Sequence, residues 1–276
     1  MARRGPTLSR RNRAEYLVLV ATGSLLVAFL AIPVLGLVAT ASWRDFAAGL
    51  QHPLVWPALR LSLLTTSASL IIILLLGTPL AWTLANARGR VSRAVETMVQ
   101  LPIVIPPAVA GVAMLLAFGR RGLLAGWLYP EGWSVTFTTM AVVMAEVFVS
   151  APFFVQAGTS AFRHIDVKLV IVAKTFGASP LRVFFRVALP LATPGLIAGA
   201  IMSWARSLGE FGATLMFAGN LQGKTQTLPL AIYTALESDL RAAQALSIVL
   251  VSVAFALLLG VRAALRSSDE RLEVAP

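Results

Sequence analysis

The chain has 276 residues, 58% of them hydrophobic and 13% charged, with a mean hydropathy of +0.81 and a net charge of +11. Its charged share is about half the roughly 25% of a soluble domain, which excludes a water-soluble fold and implies a polytopic membrane protein. The absence of cysteine excludes disulfides, thiolate metal sites and cysteine nucleophiles, and the positive charge is read against membrane topology rather than as a nucleic-acid surface.

The N-terminus is basic, with Arg3, Arg4, Arg10, Arg11 and Arg13 preceding an apolar stretch of about 26 residues. That stretch is too long for the core of a signal peptide and reads as an uncleaved first span at 16–41, with Tyr16 and Trp43 as interfacial aromatics. Further spans are expected at 59–85, 95–118, 137–158, 189–217 and 242–265. Each exceeds the roughly 18 to 20 apolar residues that cross a hydrocarbon core. Alternating strands of the barrel type are absent, so the expectation is an all-α membrane protein with six transmembrane helices. Residues 1–14 form a basic tail, 15–266 the membrane domain and 267–276 a C-terminal tail. Sixteen Lys and Arg fall in the segments on one side, six fall on the other, and Arg206 lies within a span. The positive-inside rule then puts both termini in the cytoplasm.

Within the spans, Ser62, Thr65, Thr66 and Ser69 share a helical face, either lining a polar path or hydrogen-bonding a neighbouring helix and their own backbone. Pro102, Pro106 and Pro107 impose a kink or a late helix start in the third span. Three ionisable residues are placed in lipid: Glu146, Arg206 and Glu210. Each is costly there unless paired or hydrated. Arg206 and Glu210 are four apart on one expected helix, whose same face carries Ser203, Ser207 and Thr214. The stripe is either the wall of a translocation path, where an arginine suits an anion, or a helix interface built around a structural ion pair. Glu146 is expected to be a hydrogen-bonding partner inside the bundle.

Residues 218–225, AGNLQGKT, imitate a phosphate loop, but they follow a membrane helix instead of a strand and bind no nucleotide on this reading. No HExxH or GxSxG is present, and His52 and His164 are separate loop residues, so catalytic and metal sites are not expected. The basic stretch 161–188 is too polar for lipid. It is expected to form two short helices: Gly177 ends the first, and Ser179 and Pro180 cap and begin the second. Leu181, Phe184 and Phe185 give the second helix an apolar face, with Arg182 and Arg186 four apart, so it lies on headgroups or docks in a partner's groove.

This loop resembles the signature of binding-protein-dependent ABC importers, in which a glutamate-alanine-alanine triplet precedes a glycine and a leucine-proline pair closes the motif. Here Gly177, Val187, Leu189 and Pro190 fit, while the triplet positions hold Ile171, Val172 and Ala173, without the acidic residue and the first alanine. Residues 101–122 (LPIVIPPAVAGVAMLLAFGRRG) and 207–233 (SLGEFGATLMFAGNLQGKTQTLPLAIY) are similar to molybdate and tungstate permeases, with sulfate permeases as near relatives; the similarity spans about 59–265. The resemblance implies a permease subunit in a bacterial-type inner membrane, importing a tetrahedral oxyanion, molybdate first, by alternating access. It implies cytoplasmic coupling helices between spans four and five, with Ala173, Gly177, Ala178, Ser179, Pro180, Arg182, Val187, Leu189 and Pro190 in ATPase coupling. Ser203, Arg206, Ser207, Glu210 and Thr214 would form the translocation path. Two ATPase subunits, an extracellular or periplasmic oxyanion-binding protein and a second permease copy are the implied partners, alongside membrane lipid. The chain itself would bind no cofactor and be no enzyme, ATP being used by the partner subunit. The rival readings are a sulfate, thiosulfate or other-cargo permease of the same superfamily, an ATP-independent secondary transporter, and a membrane-anchored enzyme or sensor.

Overall fold

Backbone in lipid has no water to bond, so long apolar segments close their hydrogen bonds internally as helices. A computed structural model of the chain describes residues 10–128 and 133–273, and the side chains of residues 15–127, 133–256, 258 and 259. The described elements are all helical: α1 (Arg10–Ala39), α2 (Trp43–Leu50), α3 (Val55–Asn86), α4 (Arg90–Val104), α5 (Pro107–Phe118), α6 (Ala125–Leu128), α7 (Thr139–Arg163), α8 (Val167–Thr175), α9 (Pro180–Val183), α10 (Leu189–Leu208), α11 (Gly212–Ala218), α12 (Leu228–Ser238) and α13 (Leu240–Glu273). A five-residue π turn, Phe184–Ala188, joins α9 to α10 as one continuous helix. Among the described residues, four helices are long and apolar enough to cross a membrane: Glu15–Ala39, Val55–Asn86, Thr139–Arg163 and Pro180–Leu208. The pair α4 and α5 makes a fifth if counted as one bent span, and the apolar part of α13, Leu240–Ala256, is shorter.

Helix α7 is the centre of the bundle, packed along both α3 and α10. Its contact with α10 uses small residues: a Cβ on Gly199 would stand 2.8 Å from the Ala157 Cβ, and one on Gly195 would stand 2.5 Å from the Ala161 Cβ. In lipid there is little hydrophobic drive between helices, so such close backbone approach supplies the attraction through dispersion. Ile73, Leu84, Phe154, Phe162 and Leu196 fill one end of this α3–α7–α10 unit. At the other end α11 packs on α5 and α7 through Met114, Val142, Ala213 and Phe217. Helices α12 and α13 close on the start of α3 through Val55, Leu228 and Leu246.

Hydrogen bonds from two side chains define which ends meet. The Arg163 Nη2 donates to the Leu84 carbonyl at 3.4 Å, so α3 and α7 finish on the same face. The Gln244 Nε2 donates to the Leu37 carbonyl at 3.0 Å and to Thr40 Oγ1 at 2.9 Å, so the end of α1 meets the beginning of α13 on the opposite face. Helix α1 is otherwise exposed along its apolar length.

Three expectations are corrected. The span expected at 95–118 is two helices bent by 117° between Val104 and Pro107. Pro106 and Pro107 have no N–H to leave unpaired at the bend, and the Ala110 N–H restarts the ladder on the Pro106 carbonyl at 3.0 Å. The span expected at 189–217 stops at Leu208, with Gly209 as C-cap, and restarts as α11. The second helix of the 161–188 loop is not a separate piece, because it continues through the π turn into α10. At the termini, α1 begins at Arg10, inside the expected tail 1–14, and α13 runs to Glu273, past the expected boundary at 267. Residues 1–9 and 274–276 of those tails lie outside the described residues.

The two interruptions interlock. A Cβ on Gly212 would stand 2.8 Å from the Pro107 Cβ, and one on Gly111 would stand 2.6 Å from the Met216 Cβ and 2.8 Å from the Ala213 carbonyl oxygen. Gly111→Val is expected to destabilise the protein by about 2 kcal/mol through overpacking of the α5–α11 contact. Thermal unfolding of the detergent-purified chain checks it, and an unchanged midpoint would mean that the α5–α11 contact yields freely.

Candidate functional site

The hydroxyls of α3 turn inward. Ser62, Thr65, Thr66 and Ser69 are all buried. Ser62 Oγ accepts the Leu228 N–H at 2.7 Å, tying α3 to the first turn of α12. Thr65 Oγ1 stands 2.7 Å from Glu146 Oε1 on α7, and Thr66 donates to the Ser62 carbonyl at 2.7 Å. Of the two uses open to this face, the geometry is that of helix-to-helix and self-bonding hydroxyls. Glu146 is a bonding partner within the bundle as expected, with Oε2 meeting no protein partner among the described residues.

Ser203 and Ser207 of α10 also face α7. Ser203 donates to the Ser150 carbonyl at 2.9 Å, and Ser207 donates to Ser150 Oγ at 2.7 Å. Ser150 in turn donates to the Glu146 carbonyl. Ser150 is therefore the hub of the α7–α10 contact, a residue that sequence reasoning missed. Its only signal was a lone hydroxyl one turn beyond Glu146 in an apolar span.

The expected continuous stripe is divided by the break after Leu208. Arg206 lies on α10, Glu210 lies between α10 and α11, and Thr214 is a buried residue of α11. Arg206 and Glu210 do pair, Nη1 to Oε2 at 2.7 Å, with side-chain exposures of 27% and 1%. The second carboxylate oxygen accepts the Ala213 N–H at 2.8 Å, in the first turn of α11. One carboxylate thus joins the end of α10 to the start of α11. Ser203, Ser207 and Thr214 are internal to the bundle, and Arg206 is the member of the set that reaches partly exposed surface.

The 161–188 loop is built by local capping. Asp166 Oδ1 accepts the Lys168 N–H at 2.9 Å and starts α8. Gly177, at φ +79, ends it: the Ala178 N–H reaches the Ala173 carbonyl at 3.1 Å and the Gly177 N–H reaches the Lys174 carbonyl at 2.9 Å. This is a Schellman closure, whose left-handed position favours glycine. Ser179 Oγ then accepts the Arg182 N–H at 3.4 Å, and Pro180 occupies the first turn of α9. Val183 and Ala188 are buried, and the Phe184 ring lies 5.7 Å from Trp82 and 6.2 Å from Phe162. Phe176, Leu181 and Phe185 remain exposed, at 86%, 71% and 59%. Ala173, Ala178, Val187 and Leu189 are half-buried, while Arg182 and Pro190 are exposed. The arrangement is an apolar row held out on a firmly anchored base.

The remaining motifs have local roles. In 218–225, Thr225 Oγ1 accepts the Leu221 N–H at 2.9 Å and the Lys224 carbonyl accepts from Thr139 at 2.9 Å, which makes it a tie between α11 and α12 with no strand before it. His52 Nδ1 accepts the Leu54 N–H at 3.4 Å, and His164 Nδ1 lies 2.7 Å from the Ser160 carbonyl. Among the described residues no group of three or more His, Cys, Asp or Glu could hold a metal ion.

Removing the carboxylate that spans the break leaves a partly buried guanidinium without its partner and an orphaned N–H. Glu210→Ala is expected to cost about 3 kcal/mol, with part recovered in the double variant Arg206→Gln/Glu210→Ala. Chemical unfolding of the purified chain reads both, and a loss below about 1 kcal/mol would reduce the pair to a surface-type contact.

The comparisons with known proteins agree with this arrangement. The family model described as binding-protein-dependent transport system inner membrane component matches residues 77–274. A Mycobacterium tuberculosis protein named molybdenum transport system permease protein ModB is 46% identical over 237 residues, covering 86% of this chain and 90% of that one. The Clostridium pasteurianum protein named probable transport system permease protein NifC is 40% identical over 76% of this chain and 73% of its own. The Escherichia coli K12 protein named molybdenum transport system permease protein ModB is 37% identical over 74% and 89%. In fold, the chain is similar to one in the crystal structure of a bacterial ABC transporter involved in the import of the acidic polysaccharide alginate, with a TM-score of 0.76, 19% identity and coverage of 94% and 96%. With its interlocked broken helices, its capped and protruding loop and these matches, the chain belongs to the family of binding-protein-dependent transport system inner membrane components.

Proposed function

We propose that this chain is the membrane permease subunit of an ABC importer that carries a tetrahedral oxyanion, molybdate first, into a bacterial-type cell. The observation that carries this reading is the loop of α8 and α9, where Phe176, Leu181 and Phe185 stand exposed on a base continuous with α10. An apolar row on a short amphipathic element suits a groove in a partner. The names of the relatives, molybdenum transport system permeases, supply the cargo.

Six crossings are the reading that the meeting of the helix ends supports. Helices α3 and α7 end on one face, so the intervening α4 and α5 return the chain across the membrane despite their bend. Helix α10 then runs outward from that face and α13 returns to it, while α1 ends beside the start of α13. The face carrying the loop also carries most of the lysine and arginine, so the positive-inside rule makes it cytoplasmic, with both termini.

On this reading two ATPase subunits receive the α8–α9 elements of two permease copies, and a binding protein outside the cell membrane delivers the anion. The chain is a transport subunit and holds no cofactor; ATP is bound and hydrolysed by the ATPases. Their closure moves α9, and the rigid α9–α10 helix carries the movement to the break at Gly209, a rigid-body switch. On this reading Arg206 is the path-facing cation: Nη1 is committed to Glu210, the side chain is 27% exposed, and its remaining donors would meet a passing oxyanion. Weak attraction of this kind lets cargo leave as well as enter.

Copurification and uptake test the proposal together. A tagged chain is expected to bring down an ATPase subunit, and Gly177→Arg is expected to abolish ATP-dependent molybdate uptake in proteoliposomes without lowering the amount of folded permease. Gly177→Ala, which only strains the left-handed position by about 1 kcal/mol, is expected to retain most uptake. Recovery of the chain without an ATPase, or normal uptake in the arginine variant, would overturn the coupling role.

A further inference from the structure

We propose that the recess between the end of α3 and the start of α8 binds the headgroup of an anionic phospholipid, with Arg88 and Arg163 holding its phosphate. The recess encloses about 380 Å³, more than a phosphodiester occupies. Its back wall is aromatic: Trp82 meets Phe162 edge to face at 5.2 Å. Val167 and Val170 of α8 form the other side, Val167 being 67% exposed.

The two cations are not consumed by the protein. Arg88 is exposed and makes no ion pair among the described residues. Arg163 uses its Nη2 for Glu96, at 2.8 Å, and for the Leu84 carbonyl, at 3.4 Å, and its side chain remains 47% exposed. Its Nε and Nη1 meet no acceptor among the described residues and are left for a phosphate oxygen. Glu96 is balanced by Arg163, and the neighbouring 86–93 segment adds Arg90 and Arg93 with no acid. Asp166, the cap of α8 between Ile165 and Val167, adds one acid and Lys168 beside it one cation, so Arg88, Arg90, Arg93, Arg163 and Lys168 outnumber Glu96 and Asp166 and the surroundings of the recess are net positive.

The apolar wall selects the source of the phosphate. A free phosphate ion would use the guanidinium donors and leave Trp82, Val167 and Val170 wet. A phospholipid satisfies both, because its phosphate and acyl chain are adjacent, as are the cations and the apolar wall here. The placement in the cytoplasmic leaflet rests on the topology proposed above. The binding itself rests only on the recess. Because α8 forms one wall, a lipid seated there would brace the coupling element against α3.

Native mass spectrometry of the full-length chain in mixed micelles of phosphatidylglycerol and phosphatidylcholine tests this. One phosphatidylglycerol is expected to stay bound per chain, and Arg88→Gln is expected to weaken its retention about fivefold, the worth of one basic side chain at an anionic surface. Arg60→Gln, an exposed arginine at the other end of α3, is expected to leave retention unchanged. No preference for phosphatidylglycerol, or equal losses in the two variants, would overturn the site. Displacement by inorganic phosphate as readily as by a short-chain phosphatidylglycerol would also overturn it, leaving an ion site instead. Thermal unfolding of Arg88→Gln verifies that the exposed substitution leaves the fold intact. The chain has no cysteine, so Arg88→Cys can be labelled in intact cells with an impermeant thiol reagent. Labelling only after permeabilisation is expected. Labelling from outside would sink the proposed topology and the leaflet with it, while the retention measured in micelles would stand.

Discussion

A carboxylate at a helix break carries the architecture of this bundle. Backbone that leaves helical geometry in the membrane interior has no water to turn to, and is tolerated only where the protein itself supplies partners. Glu210 supplies them at the end of α10, accepting the Ala213 N–H in the first turn of α11 while its other oxygen is neutralised by Arg206. Its own N–H is closed on the Ser207 carbonyl at 3.0 Å. The second break, between α4 and α5, is solved differently, by two prolines that remove the donors in question. Because Gly212 lies against Pro107, the two interruptions pack directly on each other. The placement of α5, α11 and the loop beyond them follows from this joint.

Around the joint, α7 acts as a fixed post. Its polar side chains are few and are arranged to hold neighbours: Glu146 faces Thr65 of α3, and Ser150 takes both Ser203 and Ser207 of α10. Each such bond is modest, and membrane hydroxyl pairs average well below what their burial suggests. Their value lies in rotation and register, since a helix that can slide along a smooth apolar neighbour cannot slide past a set of matched hydroxyls. The small residues at 195 and 199 complete the fit by bringing the two backbones together.

The loop and the break are ends of one rigid body. From Pro180 to Leu208 the helix is unbroken, the π turn included, and Phe184 and Ala188 anchor its base against α3 and α7. In the proposed importer, force applied at Leu181 or Phe185 arrives at Gly209 with little lost to bending. The absent acidic residue at Ile171 is consistent with this division, because α8 has no buried residue and its attachment rests on caps and on its junction with α9.

Much of this was legible in the sequence wherever cause and consequence lie within a turn or two of each other. Apolar runs marked the membrane helices because length and hydropathy are local sums. Asp166 and Ser179 cap, Gly177 terminates and Pro180 initiates through bonds reaching no more than five residues, and Arg206 finds Glu210 four residues on. What the tertiary structure alone decided is the direction each helix face turns and where long helices stop. Ser203 and Ser207 shared a pattern with Arg206, yet they face α7 while Arg206 reaches the surface, because rotation about the α10 axis is set by Ser150, 53 and 57 residues away. Pro102, Pro106 and Pro107 announced a bend in the third span, but its 117° angle and the break after Leu208 are decided where Gly212 meets Pro107 across the bundle, a contact that no window of sequence contains.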